Sequence, residues 1–292
     1  MSLLDPGFLR RLARLRLVAR RRFAGASAGA RRSTRRGSSA EFADHRPYYP
    51  GDDVRRIDWN AYARLEELVL RLFVAEEDLS LYLLVDTSAS LGEPREKLDV
   101  AKHVAAGLGY VALTGSDRVS VWPFADRLRA PSAPVRGKKR VGTLLRTLDA
   151  LAPSGETDLA RAVDELCARR PRPGLVAVIS DFLDPAGYQR PIDRLLAERH
   201  EPVLLHVVHP EELDPTPGGD FVLVDAERGT SLEVSLDERS LRAYRARVRA
   251  FLDELTAFAK RRGLYYGRVS TAEDFETTLL RYLGAAPRAG QA

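Results

Sequence analysis

The sequence contains a single cysteine and no long apolar run. Because Cys167 has no second cysteine to pair with, an internal disulfide is excluded, and a buried structural thiol in a reduced compartment is the simplest interpretation. No window approaches the roughly 18 to 20 apolar residues of a membrane-spanning helix, and the N-terminus lacks the apolar core of a signal peptide. Since 45% of the residues are hydrophobic, which is ample for a core, the composition predicts a soluble, cytoplasmic protein.

Acidic residues are almost missing from the first 40 positions. Residues 1–40 contain eleven arginines and one acid, a net charge of +10, whereas the rest of the chain carries −5. Asp5-Pro6 is a typical helix start, so we expect a basic amphipathic helix followed by a flexible linker over 24–40. Such a leader can be a solvated arm, a binder of anionic membrane through residues 1–36, or a nucleic-acid binder. Its arginines alternate with aliphatic residues and not with aromatic ones, which favours the surface of the inner membrane over nucleic acid.

Residues 41–80, EFADHRPYYPGDDVRRIDWNAYARLEELVLRLFVAEEDLS, are dense in aromatic and charged side chains around a Pro-Gly turn. The alternation from Leu68 to Val74 predicts a strand, so we expect a folded N-terminal subdomain here. Its charges fit a surface ion-pair network, which we favour, with Trp59 and Tyr62 as core anchors, or else a direct contact with a partner. The charged residues concerned are Asp52, Asp53, Arg55, Arg56, Asp58 and Arg64.

From residue 81 to 284 apolar strands alternate with amphipathic helices. This alternation predicts an α/β domain with a doubly wound, mostly parallel, Rossmann-like sheet, followed by a disordered tail over 285–292. A hairpin around Glu227-Arg228-Gly229 interrupts the alternation, and its place in the sheet is open. The predicted strands cover residues 81–85, 118–124, 174–180, 202–208 and 264–269, and the predicted helices cover 95–113, 138–151, 158–169, 237–262 and 272–283.

Polar oxygen-bearing side chains follow two of these strands and one loop. In YLLVDTSASL, Asp86, Ser88 and Ser90 end the first strand; Thr157 lies in SGETD, and Asp181 ends the strand GLVAVIS. Loops at the carboxyl ends of strands in a doubly wound sheet gather at one edge, where such sheets bind ligands. A set of two carboxylates and three hydroxyls suits Mg²⁺ or Mn²⁺. Because these ligands neutralise the ion incompletely, an acidic residue of a partner could complete its shell.

Taken singly, these residues also fit a purely structural role. Serine and aspartate after a strand are common helix caps and turn residues, and only the joint pattern favours a metal site. His206 and His209 would point to opposite faces of a strand, which makes them poor metal ligands. Neither a phosphate-binding loop nor a Rossmann glycine fingerprint follows a predicted strand, and no set of residues assembles an active site.

Two stretches resemble known families. DTSAS, the threonine of GETD and the aspartate of ISDF resemble, in order and spacing, the metal-ion-dependent adhesion site (MIDAS) of von Willebrand factor A domains. The resemblance implies Ser88, Ser90 and Thr157 as hydroxyl ligands, with Asp86 and Asp181 ligating directly or through water. EFADHRPYYPGDDVRRIDWNAYAR resembles the signature of a bacterial family catalogued as domain of unknown function 58, typically encoded beside MoxR-type AAA+ ATPases.

The resemblance implies a non-enzymatic, Mg²⁺-dependent adaptor. It would bind a protein with an acidic residue, either a MoxR-type ATPase or a client that this ATPase remodels or matures, and no small-molecule substrate. One alternative is a metal-dependent phosphohydrolase, which is disfavoured because the DTS loop lacks the second aspartate of haloacid-dehalogenase-type phosphotransferases. The other alternative is a module that binds nucleic acid or a membrane surface through the basic leader.

Overall fold

The computed structural model describes residues 3, 7–8, 10, 42–50, 52–73, 79–215, 219–235, 237–274, 277 and 281. These residues divide into two compact units, one within Met1–Arg22 and Leu79–Pro287 and one within Phe23–Asp78 and Arg288–Ala292. The predicted linker over 24–40 and the predicted tail over 285–292 lie outside the described residues. The same holds for most of the predicted leader helix and much of the predicted last helix.

The smaller unit is built on two antiparallel strands, β1 (Phe42–Pro47) and β2 (Val69–Phe73). Between them the chain forms a 3-10 turn over Val54–Arg56 and the helix α1 (Trp59–Leu65). Asp58 begins α1, because its carboxylate accepts hydrogen bonds from two amides of the first turn. The predicted strand in this segment is therefore present as β2.

The smaller unit contains an ion pair, but the two aromatic residues predicted to anchor its core are exposed. Arg46 binds Asp52 through two hydrogen bonds of 2.8 and 2.6 Å, so an ion pair is present. Trp59 and Tyr62, however, are 60% and 42% exposed, and the prediction that they anchor the core is wrong. The buried face of the short helix α1 carries Ala61 instead, while the two rings contact each other edge to face.

A mostly parallel sheet is the frame of the larger unit. In chain order the strands of the larger unit are β3 (Ser80–Asp86), β4 (Arg118–Phe124), β5 (Val135–Arg136), β6 (Leu175–Ser180), β7 (Glu201–Val208), β8 (Asp220–Val224), β9 (Ser231–Ser235) and β10 (Tyr265–Ser270). Six of them form one sheet in the order β10-β7-β6-β3-β4-β5, in which β5 runs antiparallel to β4 and the other ladders are parallel. The hairpin of β8 and β9 forms an antiparallel sheet of its own.

Helices cover both faces of this sheet. They are α2 (Ala89–Gly92), α3 (Glu96–Thr114), α4 (Val141–Asp149), α5 (Leu159–Ala168), α6 (Gln189–Ala197), α7 (Pro210–Leu213) and α8 (Glu238–Arg261). Residues of α3 and α4 belong to the core on one face, and residues of α5, α6 and α8 belong to the core on the other. Cys167 lies buried on α5, where burial raises the pKa of its thiol, as a structural role requires.

The central strand β3 is buried on both sides. Leu81, Leu83 and Val85 pack toward α3 and α4, whereas Tyr82 and Leu84 pack toward α5, α6 and α8. This explains why its sequence is continuously apolar and does not alternate, since both faces of a parallel strand meet helices. The predicted α/β fold with a mostly parallel sheet flanked by helices is confirmed.

The described residues at the start of the chain join this core. Leu3 and Phe8 are fully buried on the α3 side of the sheet, and the Phe8 ring meets His103 edge to face at 4.9 Å. The Leu3 amide donates to a carboxylate oxygen of Asp149 at 3.5 Å. In the described part of the chain, no helix combines the length and the apolarity needed to cross a membrane.

A buried ion triad links helices α3 and α7 to the sheet. Lys97, whose side chain is 1% exposed, donates to Asp181 at 2.8 Å and to Glu212 at 2.6 Å. Burial lowers the pKa of Lys97, but the attraction of the two carboxylates outweighs burial and raises it. A lysine in the first turn of a helix opposes the helix dipole, so the two acids are needed to hold the ammonium there.

Replacing Lys97 with methionine is therefore expected to destabilise the larger unit. The Lys97→Met variant leaves Asp181 and Glu212 without their counter-charge, and the free energy of unfolding should fall by about 3 to 5 kcal/mol, as in other broken buried pairs. Urea denaturation followed by circular dichroism measures this. Lys102→Met on the same helix is the matched control, since its ammonium bonds a carbonyl in a more exposed setting and should cost less than about 1 kcal/mol. Equal losses in both variants would contradict the role given to the triad.

Candidate functional site

Two buried carboxylates mark the carboxyl edge of the sheet. Asp86 is the last residue of β3 and Asp181 follows the neighbouring strand β6, and they are 0% and 2% exposed. Asp86 accepts hydrogen bonds from the Ser180 hydroxyl at 2.6 Å and from the Ser88 amide at 2.9 Å. Burial, and then the charge of Asp181, nevertheless raise the pKa of Asp86 to about 7. The edge therefore brings two acidic groups together where water is excluded and where ionising both is unfavourable.

The second carboxylate is held from two sides. One oxygen of Asp181 binds Lys97, and the other accepts the Leu183 amide at 3.2 Å. His206 is buried nearby and its ring bonds the Tyr266 hydroxyl at 2.9 Å, while burial lowers the pKa of His206 to about 4. This histidine is therefore neutral at physiological pH and engaged with tyrosine.

Backbone hydrogen bonds join the loop after β3 to the loop that carries Thr157. The Ser154 amide donates to the Thr87 carbonyl at 2.8 Å, and the Ala89 amide donates to the Gly155 carbonyl at 2.9 Å. Gly155 has a φ of +82°, a conformation that favours glycine. Two segments that are distant in sequence are thereby fixed side by side.

Of the three predicted hydroxyls, Ser88 caps the start of α2, Ser90 lies in the first turn of α2, and Thr157 lies in the second loop. The Ser88 and Ser90 oxygens are 3.0 Å apart. Thr157 and Ser90 each donate to the same carboxylate oxygen, Oε1 of Glu227, at 2.7 and 2.9 Å. The structure thus brings Ser90 and Thr157 to one acceptor, next to Ser88, whose amide binds Asp86.

Glu227 is the residue that sequence reasoning missed. It lies in the turn of the β8–β9 hairpin, and besides the two hydroxyls it accepts the Thr157 amide at 3.1 Å through its second oxygen. The neighbouring Arg228 is 3.4 Å from Glu156. The only signal in the sequence was an acid and a base at the tip of the predicted hairpin, which says nothing about where the tip packs.

The donor set is chemically suited to a hard cation. All five predicted ligands present oxygen, and two of them are carboxylates that repel each other across a buried edge, a repulsion that a divalent ion would relieve. Lys97 supplies one positive charge to this region, which contains three acidic side chains, Asp86, Asp181 and Glu212. One charge cannot neutralise all three. Within the described ranges, no cluster of three or more His, Cys, Asp or Glu side chains is arranged to hold a metal ion, so any cation here depends on the hydroxyls.

The chain is similar to several solved structures. It matches the conserved hypothetical protein BatB from Bacteroides thetaiotaomicron with a TM-score of 0.45 and 18% identity, over 70% of this chain and 97% of that one. It also matches an aerotolerance-related membrane protein from Bacteroides fragilis with a TM-score of 0.46 and 18% identity, over 70% of this chain and 96% of the other.

Relatives of known sequence share a higher identity with this chain than these solved structures do. Uncharacterized proteins of Mycobacterium tuberculosis and Mycobacterium bovis are each 35% identical over 240 residues, which covers 80% of this chain and 75% of the relative. The model of the family described as protein of unknown function DUF58 matches residues 44–254. This match covers most of both units, and the chain therefore belongs to the DUF58 family.

Proposed function

We propose that the carboxyl edge of the sheet is a Mg²⁺-dependent adhesion site of the von Willebrand factor A type, and that the protein is a non-enzymatic adaptor. The observation that supports this most is a chain of contacts along the edge: Asp86 feels the charge of Asp181 and binds the Ser88 amide, and Ser88 leads through Ser90 and Glu227 to Thr157. Asp86, Ser88, Ser90, Thr157 and Asp181 would hold Mg²⁺ or Mn²⁺. The bound ion would supply a positive centre that attracts a carboxylate of the partner.

The chain's own residues prepare the edge for that encounter. Ser180 and the Ser88 amide orient Asp86, and Lys97 orients Asp181, so both carboxylates are held in fixed directions. Serine and threonine hydroxyls carry one donor each and keep lone pairs for a cation. They can therefore face an ion with their oxygens while donating to an incoming carboxylate.

The partner proposed is a MoxR-type AAA+ ATPase, or a client protein that this ATPase remodels or matures. Membership of the DUF58 family and the resemblance of residues 41–64 to its signature support this choice. We also propose that the protein works in the cytoplasm, and that the eleven arginines of residues 1–36 hold it at the anionic inner membrane by charge, since the apolar Leu3 and Phe8 are buried in the core.

Isothermal calorimetry should detect one weakly bound Mg²⁺ or Mn²⁺ per chain. Binding to the native state alone raises the free energy of unfolding, by about 2.7 kcal/mol at a metal concentration one hundred times Kd. Asp86→Asn should abolish both the heat and the stabilisation, because a central charge is lost. Asp164→Asn, an exposed change on α5, is the matched control and should bind like the wild type. Equal binding by Asp86→Asn would contradict the site.

Capture of the purified MoxR-type ATPase should require divalent metal and disappear with EDTA. Thr157→Val keeps the shape of the side chain but removes its hydroxyl, so it should weaken capture roughly tenfold or more, as expected for a lost charge-assisted hydrogen bond. Thr256→Val, which changes an exposed threonine on α8, controls for the substitution itself. Capture that persists in EDTA and in Thr157→Val would assign the contact to another surface, such as residues 41–64.

Turnover assays address the phosphohydrolase alternative. With p-nitrophenyl phosphate or ATP and Mg²⁺, we expect no hydrolysis above that of a buffer blank. The reason is that the position two residues after Asp86 is a serine, whose buried hydroxyl bonds Ser90 and cannot replace a second carboxylate as acid or base. Hydrolysis that is present in the wild type and absent from Asp86→Asn would favour the enzyme instead.

A further inference from the structure

The carboxylate of Glu227 already occupies the hydroxyl side of the candidate site. Its Oε1 accepts from Thr157 at 2.7 Å and from Ser90 at 2.9 Å, and its Oε2 accepts the Thr157 amide at 3.1 Å. These are charge-assisted hydrogen bonds, which are about twice as strong as neutral ones. The contact is the one expected of a partner's acidic residue, but it is made within the chain.

The turn that carries Glu227 is shaped before it meets the site. Asp225 accepts the amides of Glu227 and Arg228 at 2.8 and 3.1 Å, and Gly229 adopts a φ of +67°. Such an aspartate turn fixes the direction of the tip from local interactions alone. Arg228 adds a contact to Glu156, but both side chains are more than half exposed, so this pair contributes little.

The two strands of the hairpin are largely exposed and lie outside the main sheet. In the described part of the chain, β8 and β9 pair with each other and belong to no other sheet. Of the apolar side chains described on the two strands, Val222, Val224 and Leu232 are 60%, 63% and 64% exposed, so lifting the hairpin would uncover little apolar surface from these three residues. The hydrogen bonds of the tip are therefore contacts that hold the hairpin at the site.

We propose that Glu227 is a built-in competitor of the partner's carboxylate and that the hairpin must leave before the partner binds. A hydroxyl has one hydrogen to donate, so Ser90 and Thr157 cannot serve Glu227 and an incoming acid together. Because Glu227 offers its carboxylate from the tip of a tight turn, the competing group of the partner is an acidic residue carried in a turn of the same kind. The inference rests on the proposed adhesion function.

The test uses the whole 292-residue chain and a fluorescent peptide that copies the tip, VDAERGT, cyclised to keep the turn. In Mg²⁺, fluorescence anisotropy should show about tenfold tighter binding of this peptide to Glu227→Ala than to the wild type, as expected if the competent state is populated about one tenth of the time. Glu227→Gln, which keeps one acceptor oxygen but loses the charge and the second acceptor, should lie between them. Glu233→Gln, the same change on an exposed residue of β9, should match the wild type.

Hydrogen exchange supplies a second readout. The Thr157 amide, which donates to Glu227, should exchange faster in Glu227→Ala and should be protected again when the peptide is added. Equal or weaker peptide binding by Glu227→Ala would overturn the competition while leaving the adhesion site intact. Absence of peptide binding by every variant, with and without Mg²⁺, would overturn the adhesion function and the competition with it.

Discussion

The architecture of this edge depends on the repulsion between two carboxylates that the fold buries side by side. Strands β3 and β6 are parallel neighbours whose register brings Asp86 level with Ser180, one residue before Asp181, and both carboxylates are buried. The protein moderates this repulsion with neutral donors on Asp86 and an ammonium on Asp181. Such an arrangement costs stability, and folds tolerate it mainly where it serves a function.

Lys97 offsets this repulsion only in part, because it is shared. Its ammonium serves Asp181 and Glu212 together, and the Glu212 carboxylate also caps the start of α7 through the His209 amide. One positive charge thus balances two acids, whereas Asp86 accepts hydrogen bonds only from an uncharged hydroxyl and an uncharged amide. The remaining negative potential lies in a poorly solvated pocket, where attraction between opposite charges is stronger than in water. An incoming cation, or a base on a partner, would be drawn to it.

The sequence predicted what depends on local pattern. The buried strands were found because β3 and β6 are continuously apolar, and the limits of α5 were placed within one residue at each end. Helix α6 was missed because Pro191 and four polar residues obscure its period, and Trp59 was wrongly placed in a core because aromatic character alone does not say which face is buried. Glu227 could not be found, since it meets Thr157 across 70 residues of chain.

On the proposed adhesion function, an internal ligand would also explain how the site could use strong hydrogen bonds without binding its partner irreversibly. Glu227 is tethered to the site it occupies, so its effective concentration is high and any free carboxylate competes against it. The net affinity for a partner is then the difference between two similar contacts, not the full strength of one. Because Glu227 and the partner would offer the same carboxylate, the choice among partners would depend on contacts other than this carboxylate. A partner that also covers the exposed apolar side chains of β8 and β9 would gain binding free energy from their burial. The tip of the hairpin does not bury these side chains when it binds the site.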